Sequence, residues 1–316
     1  MHKWEDEIME KNIRLSHMSH WKTVPYKKID NFRDYYYEDK SNVCYYQDWD
    51  KILRYHKQTG YEGIELAPWD LNEILGLFGT PQNYVDFAAD HGIAVSGMFH
   101  GCDDSHIAEK HDEVVQAGKN AVDICASFGG RHLNTCPGNN YYGNGPLDSQ
   151  GLKNIASCLN EIGEYAESKG VQIGIHNEFF CVSNKYNHRQ LIEMTDPRYV
   201  HYCLDTAQIA LMGDDLIDFY DTYKERICTF HLKDTADIGV PDAVRFSQDV
   251  EIQDDGHRWF WEPGEGVLPL EELWRHVADY GFKGWVTVED DGAPDYLAAM
   301  TLSSYYVQQV LGKFYR

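Results

Sequence analysis

Four short apolar runs in this chain each end at or near a side chain that can bind a metal ion. They are QIGIHNE (172–178), VHYCLD (200–205), ICTFHLKD (227–234) and GWVTVE (284–289). Short apolar runs bounded by polar residues are typical of strands buried in a parallel sheet. Because parallel strands end at the same edge of a barrel, we expect these terminal side chains to meet in one mouth.

Strand-like and helix-like segments alternate along the whole chain. Earlier strands are predicted at 13–20, 63–66, 93–100 and 132–137. Eight strand–helix units imply a parallel sheet that closes on itself. The sequence therefore predicts an α/β fold, a (β/α)8 TIM barrel, as a single domain over 1–316. Two long loops, 28–48 and 235–266, follow strands and are expected at the mouth of the barrel.

The net charge limits the kinds of partner. Lys and Arg number 28 against 51 Asp and Glu, which gives a net charge of −23. Nucleic acids and anionic membranes both require a basic surface, so the charge argues against either partner. No apolar run approaches the roughly 18 residues of a transmembrane helix, and the N-terminus does not resemble a signal peptide. We therefore expect a soluble, cytoplasmic protein.

The predicted metal ligands are Glu178, Asp205, His231 and Glu289. Carboxylates with one imidazole suit a divalent ion, for which we expect Mn²⁺, with Mg²⁺ or Co²⁺ as alternatives. A single acidic strand end usually just faces water, but four such residues in register favour a site. No G-x-G-x-x-G follows a strand and no G-K-[ST] occurs, so no nucleotide cofactor is expected.

This ligand set predicts chemistry next to a carbonyl group. Two positions of an octahedral ion stay open for two vicinal oxygens of a substrate, and the ion then stabilises an enediolate as a C–H proton leaves. Glu178 and Glu289 are candidates for the acid and the base. His100, at the end of the predicted third strand, is a further candidate for proton transfer or substrate contact.

Six other residues are candidates for substrate binding, each with a simpler alternative. Glu65 ends the second strand and is expected to bind a sugar hydroxyl or to face solvent. His176 shares a face with Glu178 by strand alternation and is expected to support the ligands or contact substrate. Lys233 is two residues after His231 and so faces the same side of the strand. It is expected to neutralise an enolate or to form a surface salt bridge. The other candidates are Gln208, Arg245 in the long loop, and His20 after the first strand.

Seven motifs together resemble the xylose-isomerase-like superfamily of sugar isomerases, epimerases and inosose dehydratases. They are GYEGIEL (60–66), IHNE (175–178), MTDP (194–197), CLDTAQ (203–208), HLKD (231–234), PGEG (263–266) and GWVTVED (284–290). The resemblance implies a TIM barrel whose metal ligands match Glu178, Asp205, His231 and Glu289. It also implies that Glu178 and Glu289 form the acid/base pair where the family member is a 3-epimerase.

One position departs from that superfamily. Its members commonly have His three residues after the metal-binding Asp, whereas this chain has Gln208. In the DNA-repair endonucleases of the superfamily that His binds a multi-zinc cluster, and Gln is a poor zinc ligand. The substitution therefore argues against an endonuclease and indicates one ion, with Gln208 binding a substrate hydroxyl or packing behind the ligands.

The HLKD, PGEG and MTDP motifs are most similar to the inosose dehydratases. We therefore expect a metal-dependent enolising lyase that acts on a keto-sugar, keto-glycoside or keto-inositol by proton abstraction and β-elimination. The alternatives are a ketose 3-epimerase or sugar isomerase and, in a different class, a non-catalytic sugar-binding barrel.

Aromatic residues cluster in the first long loop and in RWFWEPGEG (258–266). An aromatic-lined mouth suits stacking on a sugar face or an aromatic aglycone. Related barrels in the superfamily are catalytic subunits of C-glycoside deglycosidases, which work with a small β-rich partner subunit. The aromatic loops therefore predict a bulky substrate, such a partner, or a homo-oligomer contact.

Overall fold

The computed structural model describes residues 12–18, 46–138, 143–182, 184–247 and 257–315. His20, a predicted substrate-binding residue, lies outside these ranges, as does most of the first long loop.

Eight parallel strands form a closed barrel in the order of the sequence, and the last strand pairs with the first. The strands are β1 (Ile13–Met18), β2 (Gly63–Leu66), β3 (Ala94–Cys102), β4 (His132–Pro137), β5 (Gln172–Ile175), β6 (Val200–Asp205), β7 (Ile227–Leu232) and β8 (Gly284–Val288). The prediction of a TIM barrel is confirmed.

Helices connect the strands and cover the outside of the barrel. They are α1 (Tyr46–Thr59), α2 (Asp70–Phe78), α3 (Pro81–Asp90), α4 (His111–Ser127), α5 (Ser149–Ser168), α6 (His188–Met194), α7 (Thr206–Leu211), α8 (Leu216–Tyr223), α9 (Asp242–Arg245), α10 (Leu270–Tyr280) and α11 (Tyr296–Tyr305). The longest, α5, begins where the Asp148 side chain accepts a hydrogen bond from the Gly151 backbone, as an N-cap residue does. Within the described ranges, no helix combines the length and apolar character needed to cross a membrane.

The fifth strand is shorter than the sequence predicts. β5 ends at Ile175, so His176 and Glu178 lie in the loop that follows it. Between them, Asn177 accepts a hydrogen bond from the hydroxyl of Tyr202, whose ring packs on Phe219 in the helical layer. This contact directs Asn177 towards the helices and leaves its two neighbours on the other side of the chain.

The barrel interior contains a polar layer between β2, β3 and β4, and one glycine makes room for it. Gly97 of β3 pairs with His132 of β4, and a Cβ added at Gly97 would lie 2.2 Å from Cδ2 of His132. Only a residue without a side chain therefore lets His132 occupy its position against Glu65, where Nε2 is 3.0 Å from Oε2.

We expect Gly97→Ala to lower the free energy of unfolding by on the order of 1–3 kcal/mol, because a methyl group placed in a filled interior displaces its neighbours. Urea denaturation measures this change. The matched control is Gly76→Ala in α2, where an added Cβ meets nothing within 4 Å. It should be neutral or stabilising by about 0.5–1 kcal/mol, as expected for Ala in a helix. Equal loss in both variants would contradict the close contact at Gly97.

Candidate metal centre at the mouth of the barrel

Four buried side chains converge where β5 to β8 end. They are His176, Asp205, His231 and Glu289, and each offers one ligand atom within 4.8 Å of the others. Asp205 and His231 are register partners near the ends of adjacent strands, and Glu289 directly follows β8. The cluster is therefore a direct consequence of the parallel register.

Glu178 does not belong to this group, and His176 takes the place that the sequence predicts for it. Oε1 of Glu178 is 3.9 Å from Nδ1 of His176, and its Oε2 accepts a hydrogen bond from the Cys181 thiol at 3.4 Å. The physical reason is the early end of β5, since the first residue after the strand, not the third, lies beside Asp205. Two signals in the sequence could have identified His176 as a ligand. Strand alternation places its side chain on the inner face of the barrel, and imidazole is a common metal ligand.

The two imidazoles have nitrogen atoms that suit a cation. Nδ1 of His231 and Nδ1 of His176 are buried and have no hydrogen-bond partner among the described residues. A buried polar atom without a partner is costly, and a bound cation would remove this cost. Nδ1 of His231 also lies 3.0 Å from Oε2 of Glu289, a spacing compatible with two ligands on one ion. The residues therefore fit a metal ion.

Lys233 is buried among three carboxylates, so the alternative of a surface salt bridge is wrong. Its Nζ lies 3.3 Å from Asp205 Oδ2, 2.7 Å from Glu289 Oε2 and 2.5 Å from Asp291 Oδ2. Burial by itself lowers the pKa of Lys233, but attraction to the three acids outweighs it and raises this pKa well above its usual value. One ammonium group leaves excess negative charge here, which favours a bound cation.

The protonation states of His176 and Asp205 suit metal binding, which needs a neutral imidazole and an ionised carboxylate. Burial is the main cause that lowers the pKa of His176 and so favours its neutral form. Burial by itself raises the pKa of Asp205, but Lys233 and His176 lower it below the usual value overall. His231 differs, because burial by itself lowers its pKa but Cys203, Glu65 and Glu289 raise it well above the usual value, so binding an ion through this ring would displace a proton.

On β3, the side chain that faces the cluster is Phe99 rather than His100. The Phe99 ring meets the His176 ring edge-on at 5.3 Å between centroids, and Phe99 pairs with Asn134, which contacts His231. Because side chains alternate along a strand, His100 points to the opposite face. Burial lowers the pKa of His100 to about 4, so it is neutral near pH 7. This placement argues against the predicted proton transfer by His100.

Gln208 and Arg245 bond to the backbone. Oε1 of Gln208 accepts from the Phe179 backbone at 2.8 Å, which corresponds to the packing alternative for this residue. Arg245 is buried in α9, where its Nη2 donates to the carbonyls of Leu211, Met212 and Val240. Arg245 therefore joins the loops after β6 and β7, and the proposed contact with substrate is not supported.

The loop after β7 supplies residues that the sequence analysis missed. The ring of Phe260 lies 4.3 Å from Nζ of Lys233, a cation–π contact above the acidic cluster. Asp234 accepts hydrogen bonds from the backbone of Gly264 at 3.0 Å and of Leu268 at 3.1 Å. These hydrogen bonds hold the PGEG motif (263–266) against the end of β7, next to Lys233. The aromatic residues in RWFWEPGEG (258–266) were the sequence signal that could have identified Phe260.

Glu65 lies in the barrel interior, with no solvent-exposed surface. Its Oε1 is 3.0 Å from Nε2 of His231, on the side of that ring away from Nδ1. The expectation that Glu65 binds a sugar hydroxyl or faces solvent is therefore replaced by a contact with a candidate ligand.

Comparison with known proteins gives a family match over most of the chain and partial matches to individual relatives. A family model described as a xylose isomerase-like TIM barrel matches residues 53–303. An inosose dehydratase of Lacticaseibacillus casei is 29% identical over 145 residues, which is 44% of this chain and 47% of that protein. The chain thus spans about half the length of the curated relatives it matches.

Two solved structures share the fold. The IolI protein with a binding zinc atom superposes with a TM-score of 0.72 at 17% identity, covering 95% of this chain and 99% of that one. L-ribulose 3-epimerase gives a TM-score of 0.70 at 13% identity, covering 96% and 95% respectively. At these identities the likeness concerns the fold alone.

Replacing His176 and Glu178 separately tests which of them is a ligand. We expect His176→Gln to weaken divalent-ion binding by more than about 100-fold, since it removes a ligand rather than an outer contact. Glu178→Gln should weaken binding by less than about tenfold. Isothermal titration with Mn²⁺ and Zn²⁺ measures both effects.

The control for loss of a histidine is His276→Gln, because His276 bonds Asp221 on the surface and lies outside the cluster. It should leave ion binding unchanged. A larger loss in Glu178→Gln than in His176→Gln would restore Glu178 as the fourth ligand.

Proposed function

The chain belongs to the xylose isomerase-like TIM barrel family, and on that premise we propose that it is a divalent-metal-dependent enolising lyase. The proposed substrate is a keto-sugar, keto-glycoside or keto-inositol, from which the enzyme removes a proton next to the carbonyl and then eliminates a β-substituent. The convergence of His176, Asp205, His231 and Glu289 carries the proposal. The partial match to inosose dehydratases supports elimination.

Two imidazoles and two carboxylates would hold the ion. Imidazole is a softer ligand than carboxylate, so this set favours Mn²⁺, Co²⁺ or Zn²⁺ over Mg²⁺. When bound, the ion supplies a Lewis acid that polarises a carbonyl oxygen and lowers the cost of removing the neighbouring proton.

Glu178 is the candidate base. Its side chain retains 17% exposure, whereas that of Asp205 has none, so Glu178 can meet a substrate that enters from the mouth. It is also outside the group of four ligand residues, although it forms a second candidate group with Cys136 and His176. The proposed base role therefore applies to an ion held by the group of four. A carboxylate in this position can take the proton next to the carbonyl.

Lys233 is the candidate for stabilising negative charge as the proton leaves. Its ammonium group is held by three acids and covered by the ring of Phe260, so it is ordered before substrate binds. A charged donor that is already oriented loses little free energy to reorganisation during the reaction. Phe260 and Phe99 also place apolar surface beside the cluster, which favours a substrate with an apolar ring face.

A ketose 3-epimerase is the second candidate. The observation that favours it is the presence of two glutamates close to His176, Glu178 in the loop after β5 and Glu289 directly after β8. An epimerase needs one acid/base group on each face of the substrate carbon, and these two residues can fill that role.

We expect the Mn²⁺-loaded protein to eliminate a β-substituent from a keto-inositol or a 3-keto-glycoside. Reactions in D₂O, followed by mass spectrometry and by absorbance of the unsaturated ketone, measure exchange and elimination together. Chelation should remove both signals and added Mn²⁺ should restore them. Exchange without elimination would favour the epimerase, and neither signal with keto-inositols, ketoses or keto-glycosides would overturn the enzyme proposal.

Glu178→Gln should slow proton exchange by about 10²- to 10⁴-fold, the usual contribution of a general base. The same variant should bind the ion nearly as well as the parent protein, which separates a role in proton transfer from a role as ligand. Glu161→Gln is the matched control, because Glu161 is half exposed on α5 and contacts His111, away from the candidate metal centre. Its exchange rate should equal that of the parent, and unchanged exchange in Glu178→Gln would remove Glu178 as the base.

A further inference from the structure

A fully buried carboxylate lies beneath the candidate metal centre and is bonded from four directions. Oε2 of Glu65 accepts from Thr287 Oγ1 at 2.7 Å and lies 3.0 Å from Nε2 of His132. Oε1 accepts from Asn134 Nδ2 at 2.9 Å and lies 3.0 Å from Nε2 of His231. Glu65 therefore joins residues of β4, β7 and β8 across the interior of the barrel.

These contacts determine which partner donates. Thr287 and Asn134 each donate to one oxygen of Glu65, and an imidazole nitrogen lies 3.0 Å from each oxygen, so donors surround the carboxylate. An ionised carboxylate only accepts hydrogen bonds, so both imidazoles must carry a proton on Nε2. Asn134 Nδ2 also lies 3.1 Å from Nε2 of His231 and would donate to it in the opposite tautomer, so the proton on Nε2 belongs to the tautomer in which Oε1 of Glu65 accepts from both groups.

The proton on Nε2 decides what His231 presents to the cluster. With Nε2 donating to Glu65, the nitrogen that faces Glu289 is Nδ1, which has no hydrogen-bond partner among the described residues. A neutral imidazole binds a metal through the nitrogen that lacks a proton. The contact with Glu65 thus leaves one nitrogen of His231 as the ligand atom and fixes the angle of the ring.

We propose that Glu65 is a positioning residue, which orients His231 and holds its proton on Nε2 so that Nδ1 binds the ion. The inference rests on the proposed function, because it assumes that the four-residue cluster binds a metal. Gly97 and His132 also contribute to this arrangement. The space beside Gly97 is occupied by the His132 ring, and that ring contacts the second oxygen of Glu65.

Glu65→Gln tests the proposal with little change in shape. The neutral amide accepts hydrogen bonds more weakly than the carboxylate, and its NH2 group faces one of the two imidazole N–H groups, so the proton of His231 is held less firmly on Nε2. We expect Mn²⁺ and Zn²⁺ binding, measured by titration calorimetry, to weaken by about 10- to 100-fold. Thr287→Val is the matched control, because it removes a hydrogen bond to the other oxygen of the same carboxylate and keeps the contact between Glu65 and His231, and it should weaken binding far less.

A measurement on the parent protein does not depend on how the variant folds. Long-range ¹H–¹⁵N correlation spectra of histidine-labelled protein should show His231 with its proton on Nε2, and added Zn²⁺ should shift Nδ1. In folded Glu65→Gln the Nε2-protonated signature should be lost. Protonation on Nδ1 in the parent, or equal ion affinity in folded Glu65→Gln and the parent, would overturn the proposal.

The two proposals fail in different ways. Absence of elimination and exchange with an ion bound would overturn the proposed reaction and leave the role of Glu65 intact. Absence of any ion binding by the parent would overturn both.

Discussion

The ammonium group of Lys233 joins the ends of β6, β7 and β8 through the carboxylates of Asp205, Glu289 and Asp291. The closed barrel removes these groups from water, so each carboxylate needs a cation or a donor close by. One lysine cannot neutralise three acids. The parallel register that places Asp205 beside His231 therefore creates an excess of negative charge at one point of the mouth. That excess is the physical basis for a cation site, because any other compensation would have to come from the same crowded strand ends.

Buried carboxylates occur at two levels of the barrel, and their surroundings differ. Glu65, at the lower level, has two partners for each oxygen, so all of its main acceptor positions are used. Asp205 and Glu289, at the upper level, share the cation of Lys233 and adjoin imidazole nitrogens that lack partners. The hydrogen bonds of Glu65 therefore hold the strands together, whereas the groups around Asp205 and Glu289 can still bind a cation. A ligand site that is less than fully satisfied by its own protein is a common cost of function.

The sequence predicted the parts that depend on local pattern. Apolar runs between turn residues are sufficient to find eight strands, and Asp205, His231 and Glu289 cluster because each lies at or directly after the end of its strand. The position of His176 depended on where β5 ends, which tertiary contacts such as that of Asn177 with Tyr202 decide. The sequence predicted that the third strand ends at His100, whereas β3 continues to Cys102 and places Phe99 beside the cluster. Arg245 bonds backbone carbonyls that include those of Leu211 and Met212, which are distant in the sequence. No local sequence pattern could therefore have predicted its position.

The asymmetry of the two glutamates bears on the choice of reaction. An epimerase with two acid/base groups works best when both have similar proton affinity, since each must give and take a proton in turn. Here Glu289 lies 2.7 Å from the Lys233 ammonium group, whereas Glu178 adjoins the Cys181 thiol and His176. The two glutamates therefore have different partners, one of which is a cation. One carboxylate that takes a proton, opposite a cationic group that stabilises departing negative charge, is the arrangement that elimination requires. This difference in contacts is the reason for proposing the lyase before the epimerase.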